Sequence, residues 1–341
     1  MEKLKVGVIG TGSIAKHRHL AEYRANDQVE IVAVCDINEA RAKEVGALFG
    51  VTKTFTDYHD LLKEDVDAVS VCTPNYLHAP ISIAALKAGK HVLCEKPMAT
   101  SEEEANAMIA AAEKSGKTLM IGHNQRFVAS HQQAKDWIAT GKLGKVYSFR
   151  TAFGHPGPEA WSADGDRSWF FKKEEAFIGA MGDLGVHKTD LVRYILGEEM
   201  VEVAAMVETS AKKNADVDDN AVLILKTESG IIGTLAASWS YNGNEDNSTV
   251  IYAENGVLRL EDNKDFSVIY HKNDGTTETF SLGKIQSNEE GGQVSTGVID
   301  HFVDSILTGK APLITGEEGK KSLLVILGAI ASNETKQIVK L

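Results

Sequence analysis

"VGVIGTGSIAKHRHL", Val6 to Leu20, decides the reading of this chain. A β-branched apolar run stops at Gly10, and Gly10, Gly12 and Ala15 stand in the G-x-G-x-x-G/A spacing between a predicted strand and a predicted helix. Each position has a mechanical reason. Gly10 permits a tight turn, Gly12 lets the backbone approach a pyrophosphate, and small Ala15 lets helix pack close to strand, with the phosphates at the helix N-terminus. Thr11, Ser13 and Ile14 complete the loop and are expected to line the same site.

Downstream, the short Val/Ile-rich runs "VEIVAVCD", "VDAVSVCT", "KHVLCE" and "TLMIGH" alternate with longer helical patterns as far as residue 123. The runs are apolar throughout rather than alternating, as parallel strands covered by helices on both faces should be. Between them, "NEARAKEVGALFG" and "SEEEANAMIAAAEKSGK" read as amphipathic helices, the second capped by Ser101 with Glu104 three residues on. The expectation is a doubly wound α/β Rossmann domain over residues 1–123 that binds a dinucleotide.

Asp36 ends the second run, 21 residues after Ala15 (36 − 15), where a carboxylate would accept hydrogen bonds from the adenosine ribose. A 2′-phosphate there would meet like charge, so NAD is expected. Arg41, one turn into the next helix, softens that preference and keeps NADP open. The competing role for Asp36 is as a helix cap, a task Asn38 could also fill. In an open parallel sheet, ligands bind outside the carboxyl ends of the strands, which adds the loops at Cys72-Thr73-Pro74-Asn75 and Glu95-Lys96-Pro97. Turn and cap chemistry would explain Thr73 and Asn75 equally well.

From residue 124 the pattern changes to a helix, a strand, the aromatic and charged segment "FGHPGPEAWSADGDRSWFFKK", another helix, and then successive strands with turns at Ser229-Gly230 and Asn255-Gly256. This predicts a second, α+β domain over 124–341 with a largely antiparallel, open-faced sheet. Two helices are expected from Val294 to Leu341, able to pack back on the first domain.

With a net charge of −12 and no basic cluster interleaved with aromatics, nucleic acid is not an expected partner. No apolar stretch approaches the roughly 20 residues a membrane helix needs, so no membrane association is expected and a cytoplasmic setting is. The three cysteines, Cys35, Cys72 and Cys94, are too few and wrongly spaced for a disulfide framework or a zinc site, and each reads as a small buried residue.

"GAMGDLGVHKTDLVRYILG" begins at Gly179 and holds Asp183, His187 and Asp190 at spacings that share a helical face. A carboxylate in a helix's first turn beside an imidazole is the arrangement a general base needs, although such a pair is also common as a plain surface contact. No third ligand for a metal is in sight, and none is expected.

Taken together, "CTPNYLH", "CEKP", "GHNQRF", "RSW" and "GDLGVHKTD" make the chain similar over nearly its whole length to the glucose-fructose oxidoreductase, inositol dehydrogenase and rhizopine-catabolism proteins, the Gfo/Idh/MocA family. The resemblance implies Lys96, Asp183 and His187 as the catalytic set. It implies that Gly10, Gly12, Asp36, Thr73, Asn75, His78 and Glu95 line the cofactor cleft, with Trp169 near the nicotinamide. Asn124, His155 and Arg167, with the catalytic set, are the expected substrate contacts. The implied reaction is hydride transfer with a sugar or cyclic polyol, in a homodimer or homotetramer assembled through the open sheet face. A non-catalytic dinucleotide-binding regulator, or an enzyme for a non-sugar substrate such as a dihydrodiol, is the alternative. One departure stands out: many members carry Gly-Gly-Gly where this chain reads "IGAMGD".

Overall fold

Residues 2–283 and 295–341 are described in the computed structural model. The chain divides into two compact units.

The first unit takes Met1–Asn124, Trp161–Trp169 and Gln286–Lys320, so far as these are described. Its strands are β1 (Leu4–Ile9), β2 (Val29–Cys35), β3 (Lys53–Phe55), β4 (Ala68–Val71), β5 (His91–Cys94) and β6 (Leu119–Ile121). They pair in parallel in the order β3-β2-β1-β4-β5-β6. Val6, Val8, Val69, Val71, Val92 and Leu93 are buried, as their unbroken apolar runs require. Burying each such side chain is worth about 1.5–3 kcal/mol. Strand order reverses between β1 and β4, so the loops leaving them diverge and open a crevice at that edge.

Helices α1 (Leu20–Ala25), α2 (Glu39–Phe49), α3 (Tyr58–Leu61), α4 (His78–Lys87) and α5 (Glu102–Ser115) make the connections. The Asn38 side chain caps α2 by accepting the Arg41 N–H, and Ser101 caps α5 by accepting that of Glu104. Strand β3 has no counterpart among the runs recognised in the sequence: it is three residues long and half-exposed, so neither length nor apolar pattern marks it.

The second unit takes Gln125–Ala160, Phe170–Ile285 and Lys321–Leu341. It carries α6 (Ala129–Ala139), α7 (Lys173–Ala176) and α8 (Val186–Leu196). Its sheet is built from β7 (Val146–Gly154), β8 (Met200–Glu208), β9 (Asn220–Thr227), β10 (Ile232–Ser238), β11 (Thr249–Ala253), β12 (Gly256–Leu260), β13 (Val268–Lys272), β14 (Thr277–Phe280) and β15 (Val339–Lys340). Their order is β14-β13-β12-β11-β7-β10-β9-β8-β15. The two expected hairpins, β9–β10 and β11–β12, are antiparallel, but β7 runs parallel to β10, so the sheet is mixed. On one face Met206, Val222, Ile224 and Ile232 are exposed, with Met206 opposite Val222 across the β8–β9 pair.

The tail expected from Val294 begins outside the described residues; beyond it lie α9 (Val298–Thr308) and α10 (Gly316–Thr335). Part of this tail completes the first unit. The Ile121 N–H donates to Ile314 O at 3.0 Å, Asn26 Nδ2 donates to Asp300 Oδ1 at 2.8 Å, and Thr296 Oγ1 donates to Glu22 Oε2 at 3.1 Å. No described helix is long and apolar enough to cross a membrane.

Candidate active site

In the first unit, the glycine turn is fixed by its neighbours. Gly10 has φ +88°, and a Cβ there would lie 2.5 Å from Cys72 O, so both dihedral and space demand glycine. At Gly12 a Cβ would meet nothing within 4 Å, leaving the loop open on that side. Residues Ala15–His19 then form a wide π-helical turn before α1.

Asp36 spans this loop. Its Oδ2 accepts the Thr11 N–H at 2.8 Å and the Thr11 hydroxyl at 2.9 Å, while Oδ1 accepts the Asn38 N–H at 2.9 Å. The cap of α2 is Asn38, and Asp36 holds the turn between β2 and α2. A carboxylate has roughly four acceptor positions, so three donors still leave room for a hydroxyl.

The segment Trp161–Trp169 lies against the same loops. Ser13 Oγ donates to Trp161 O at 2.7 Å, and the Arg41 guanidinium pairs with Asp164 at 2.5 Å. Asp164 is therefore engaged by Arg41; Arg167 and Trp169 belong to the same segment.

At the ends of β4 and β5, His78 ties two loops together. Its Nδ1 lies 2.7 Å from Pro97 O and its Nε2 2.8 Å from Thr73 O. Burial holds the imidazole below its ordinary pKa, so the ring is neutral and donates to one carbonyl at a time. The Thr73 hydroxyl is buried and has no partner among the described residues, and the same holds for Asn124 Oδ1 at the end of β6. Buried polar atoms in a native protein are ordinarily satisfied. Two such atoms at the carboxyl end of the sheet, with the open turn at Gly12, fit a dinucleotide.

Glu95 and Lys96 follow β5, and the Lys96–Pro97 peptide bond is cis. The Glu95 carboxylate meets a residue that the sequence did not single out. Its Oε1 accepts from His19 Nε2 at 2.9 Å, and its Oε2 accepts the Lys96 N–H at 3.2 Å. His19 Nδ1 lies 3.0 Å from Ser70 Oγ, itself 2.8 Å from the Tyr23 hydroxyl.

Burial disfavours charge on His19, but Cys72 and Glu95 outweigh it and push the imidazole up to about 10. The Cys72 thiol is itself pushed up by burial, so near neutral pH the anion holding the imidazolium is Glu95. Burial likewise works against the Glu95 charge, and contact with His19 brings its carboxyl down to about 2. The only sequence trace of His19 is the last His of "GSIAKHRH", which carries no spacing signal of its own.

In the second unit, Asp183 does not sit in the first turn of a regular α-helix as expected. Met181–Gly185 form a π-helical turn that leads into α8 at Val186. Asp183 is buried, and Trp239 Nε1 donates to its Oδ2 at 3.2 Å. Trp239 follows β10 and packs against the rings of Phe170 and Phe171 at 6.3 and 5.8 Å. His187 stands 5.8 Å from the Phe153 ring, which also faces His155 at 6.0 Å, so Phe153 links the two histidines.

The "IGAMGD" departure has a structural counterpart. Asp218 accepts the Gly179 N–H on Oδ1 and the Met181 N–H on Oδ2, each at 2.7 Å. A Cβ on Gly179 would come within 1.9 Å of Asp218 O. Asp190 is a buried structural anchor, paired with Arg126 Nε and Nη2 at 2.8 and 2.7 Å. Lys188 is fully buried, its Nζ donating to Asn247 O at 2.7 Å, and burial brings its pKa down to about 7.

Of the expected site residues, the first unit thus gathers the glycine loop with Asp36 and Arg41, the Cys72–His78 loop, Glu95, Lys96, Asn124, Arg167 and Trp169, while the second gathers His155, Asp183 and His187. Among the described residues no cluster of His, Cys, Asp and Glu could hold a metal ion.

A doubly wound unit with this glycine turn and an acidic end to β2, joined in one chain to a mixed-sheet unit, is the construction of a dinucleotide-dependent oxidoreductase. Family profiles agree with that class: "Oxidoreductase family, NAD-binding Rossmann fold" matches residues 4–123 and "GFO/IDH/MocA C-terminal domain" matches 131–259. The chain belongs to the Gfo/Idh/MocA oxidoreductases. It is 29% identical to myo-inositol 2-dehydrogenase of Thermotoga maritima over 99% of this chain and 98% of that one. It is 32% identical to levoglucosan dehydrogenase of Pseudarthrobacter phenanthrenivorans over 71% and 69% of the two chains. Among solved structures, levoglucosan dehydrogenase in complex with NADH and levoglucosan superposes with a TM-score of 0.87 at 25% identity, over 99% of each chain.

Proposed function

We propose that this protein is an NAD-dependent dehydrogenase acting on a hydroxyl-bearing carbon of a sugar or cyclic polyol. The observation that carries this reading is the pairing of a nucleotide unit built for NAD with relatives of near-full coverage named for inositol and anhydrosugar oxidation. The nicotinamide, when bound, supplies the hydride chemistry.

The chain's own groups supply binding, orientation and proton handling. The Thr11–Asp36 bonds hold the glycine loop in the shape that receives a pyrophosphate, and the free acceptor position on Asp36 takes a ribose hydroxyl. Cys72, Thr73, Asn75, His78 and Trp169 complete the cofactor contacts. His187 is the base for the substrate hydroxyl proton, Asp183 orients it and stabilises the imidazolium that forms, and Lys96 donates to the oxygen as negative charge develops. The Trp239 bond holds the Asp183 carboxylate in one orientation for that task. Asn124, His155 and Arg167 are assigned to substrate hydroxyls. The division into a dinucleotide-binding domain over 1–123 and a substrate and assembly domain beyond it follows the same reading.

Assembly is through the exposed apolar face of the second unit's sheet, as a homodimer or homotetramer. The setting is the cytoplasm, in keeping with three free, buried cysteines.

The test is NADH absorbance with a panel that includes myo-inositol and levoglucosan. Lys96→Ala and His187→Ala should each lower turnover by a factor on the order of 10² with NADH affinity retained. Dinucleotide binding without turnover across the panel would move the reading to a regulator, and turnover of a dihydrodiol alone would move it to a non-sugar enzyme.

A further inference from the structure

Asp36 alone does not settle the choice between NAD and NADP, because Arg41 stands one turn into α2, where a guanidinium can receive a 2′-phosphate. The partner of that guanidinium comes from far along the chain. Asp164 Oδ1 accepts from Arg41 Nη2 at 2.5 Å across 123 residues of sequence. Its segment is anchored on the glycine loop by the Ser13–Trp161 bond and braced internally by Ser162 Oγ, which donates to Ser168 Oγ at 2.7 Å. The backbone around Asp164 is a closed turn, with the Gly165 N–H on Ser162 O and the Arg167 N–H on Asp164 O, both at 3.1 Å.

We propose that Asp164 is a positioning residue for cofactor selectivity: by holding Arg41, it withholds the cation that a 2′-phosphate needs and sets a second carboxylate beside the ribose edge. A 2′-phosphate would then have to pull Arg41 away and lie near two carboxylates, Asp36 and the newly unpaired Asp164. Like charges a few ångström apart repel even through solvent. The bare ribose of NAD carries no such charge and needs only the acceptor on Asp36. This inference rests on the assigned dinucleotide site but not on the identity of the substrate.

The test is fluorescence titration of the full chain with NADH and with NADPH at one fixed, low ionic strength. Asp164→Asn keeps the shape of the side chain and removes its charge, so the ratio of NADPH Kd to NADH Kd should fall on the order of tenfold, the scale of a charge-assisted hydrogen bond gained. Arg41→Ala in the Asp164→Asn background should remove most of that gain. The pair is partly exposed and of small weight in stability, so both variants fold, which an unchanged melting temperature within a few degrees checks. An unchanged ratio in Asp164→Asn, or a gain undiminished without Arg41, overturns the proposal. Failure of the wild-type chain to bind NADH overturns it at an earlier step, by removing the dinucleotide site itself.

Discussion

His19 carries the most consequential contact that no motif announced. Its imidazolium sits between Ser70 and Glu95, and the same carboxylate receives the N–H of Lys96. A helix after the glycine loop and the loop after β5 are thereby joined by one buried ion pair. The pH dependence follows from the directions of the two shifts. The His19 value is raised from 6.5 to about 10, so its contribution to stability is complete below about pH 6.5 and is lost as pH climbs toward 10. The Glu95 value is lowered from 4.5 to about 2, so its contribution is complete above about pH 4.5 and is lost as pH falls toward 2. Histidine NMR should therefore find one imidazolium that does not titrate between about pH 6 and 8.5, and Glu95→Gln should move that midpoint down, below the ordinary imidazole value, because burial is then left unopposed. A His19 signal with a midpoint near 6.5 in the wild-type chain would contradict the pairing.

At the scale of the element, the start of α8 shows what sequence can and cannot disclose. "GDLGVHKTD" placed Asp183 and His187 on a helix, and they are on one. The π-turn beneath Asp183 and the acceptor for the N–H groups of Gly179 and Met181 were not legible, because Asp218 arrives from 39 and 37 residues away in a stretch without local pattern. Each buried N–H left unpaired costs about 1–3 kcal/mol, so Asp218→Ala should lower stability by roughly 2–5 kcal/mol in urea unfolding, and Asp218→Asn by about half as much. Gly179→Ala forces the helix start off Asp218 O and should cost a similar amount; a midpoint within error of wild type in either alanine variant would refute this account. The same limit applies to the strands. The parallel core and both hairpins were legible from apolar runs and turn dipeptides, whereas β3 was too short, and the parallel contact of β7 with β10 joins strands too remote in sequence for any local signal.

At the scale of the whole molecule, the nine-stranded sheet turns Met206, Val222, Ile224 and Ile232 outward, a cross-strand apolar patch of the kind that marks an interface. If copies of the chain associate there, Ile224→Glu should reduce the mass seen by light scattering to that of one protomer while the far-UV spectrum stays unchanged; an unaltered mass would place assembly elsewhere. The route by which the chain reaches its fold bears on its synthesis. β6 closes one side of the parallel sheet, yet Ile121 donates to Ile314, 193 residues later (314 − 121). At about 5–20 residues per second, the ribosome delivers that partner roughly 10–40 s after the strand has emerged. For that interval the nucleotide unit carries an unpaired edge, the kind of surface that recruits neighbouring strands. A nascent chain stalled before residue 314 is thus the form of this protein most exposed to aggregation and most in need of a chaperone.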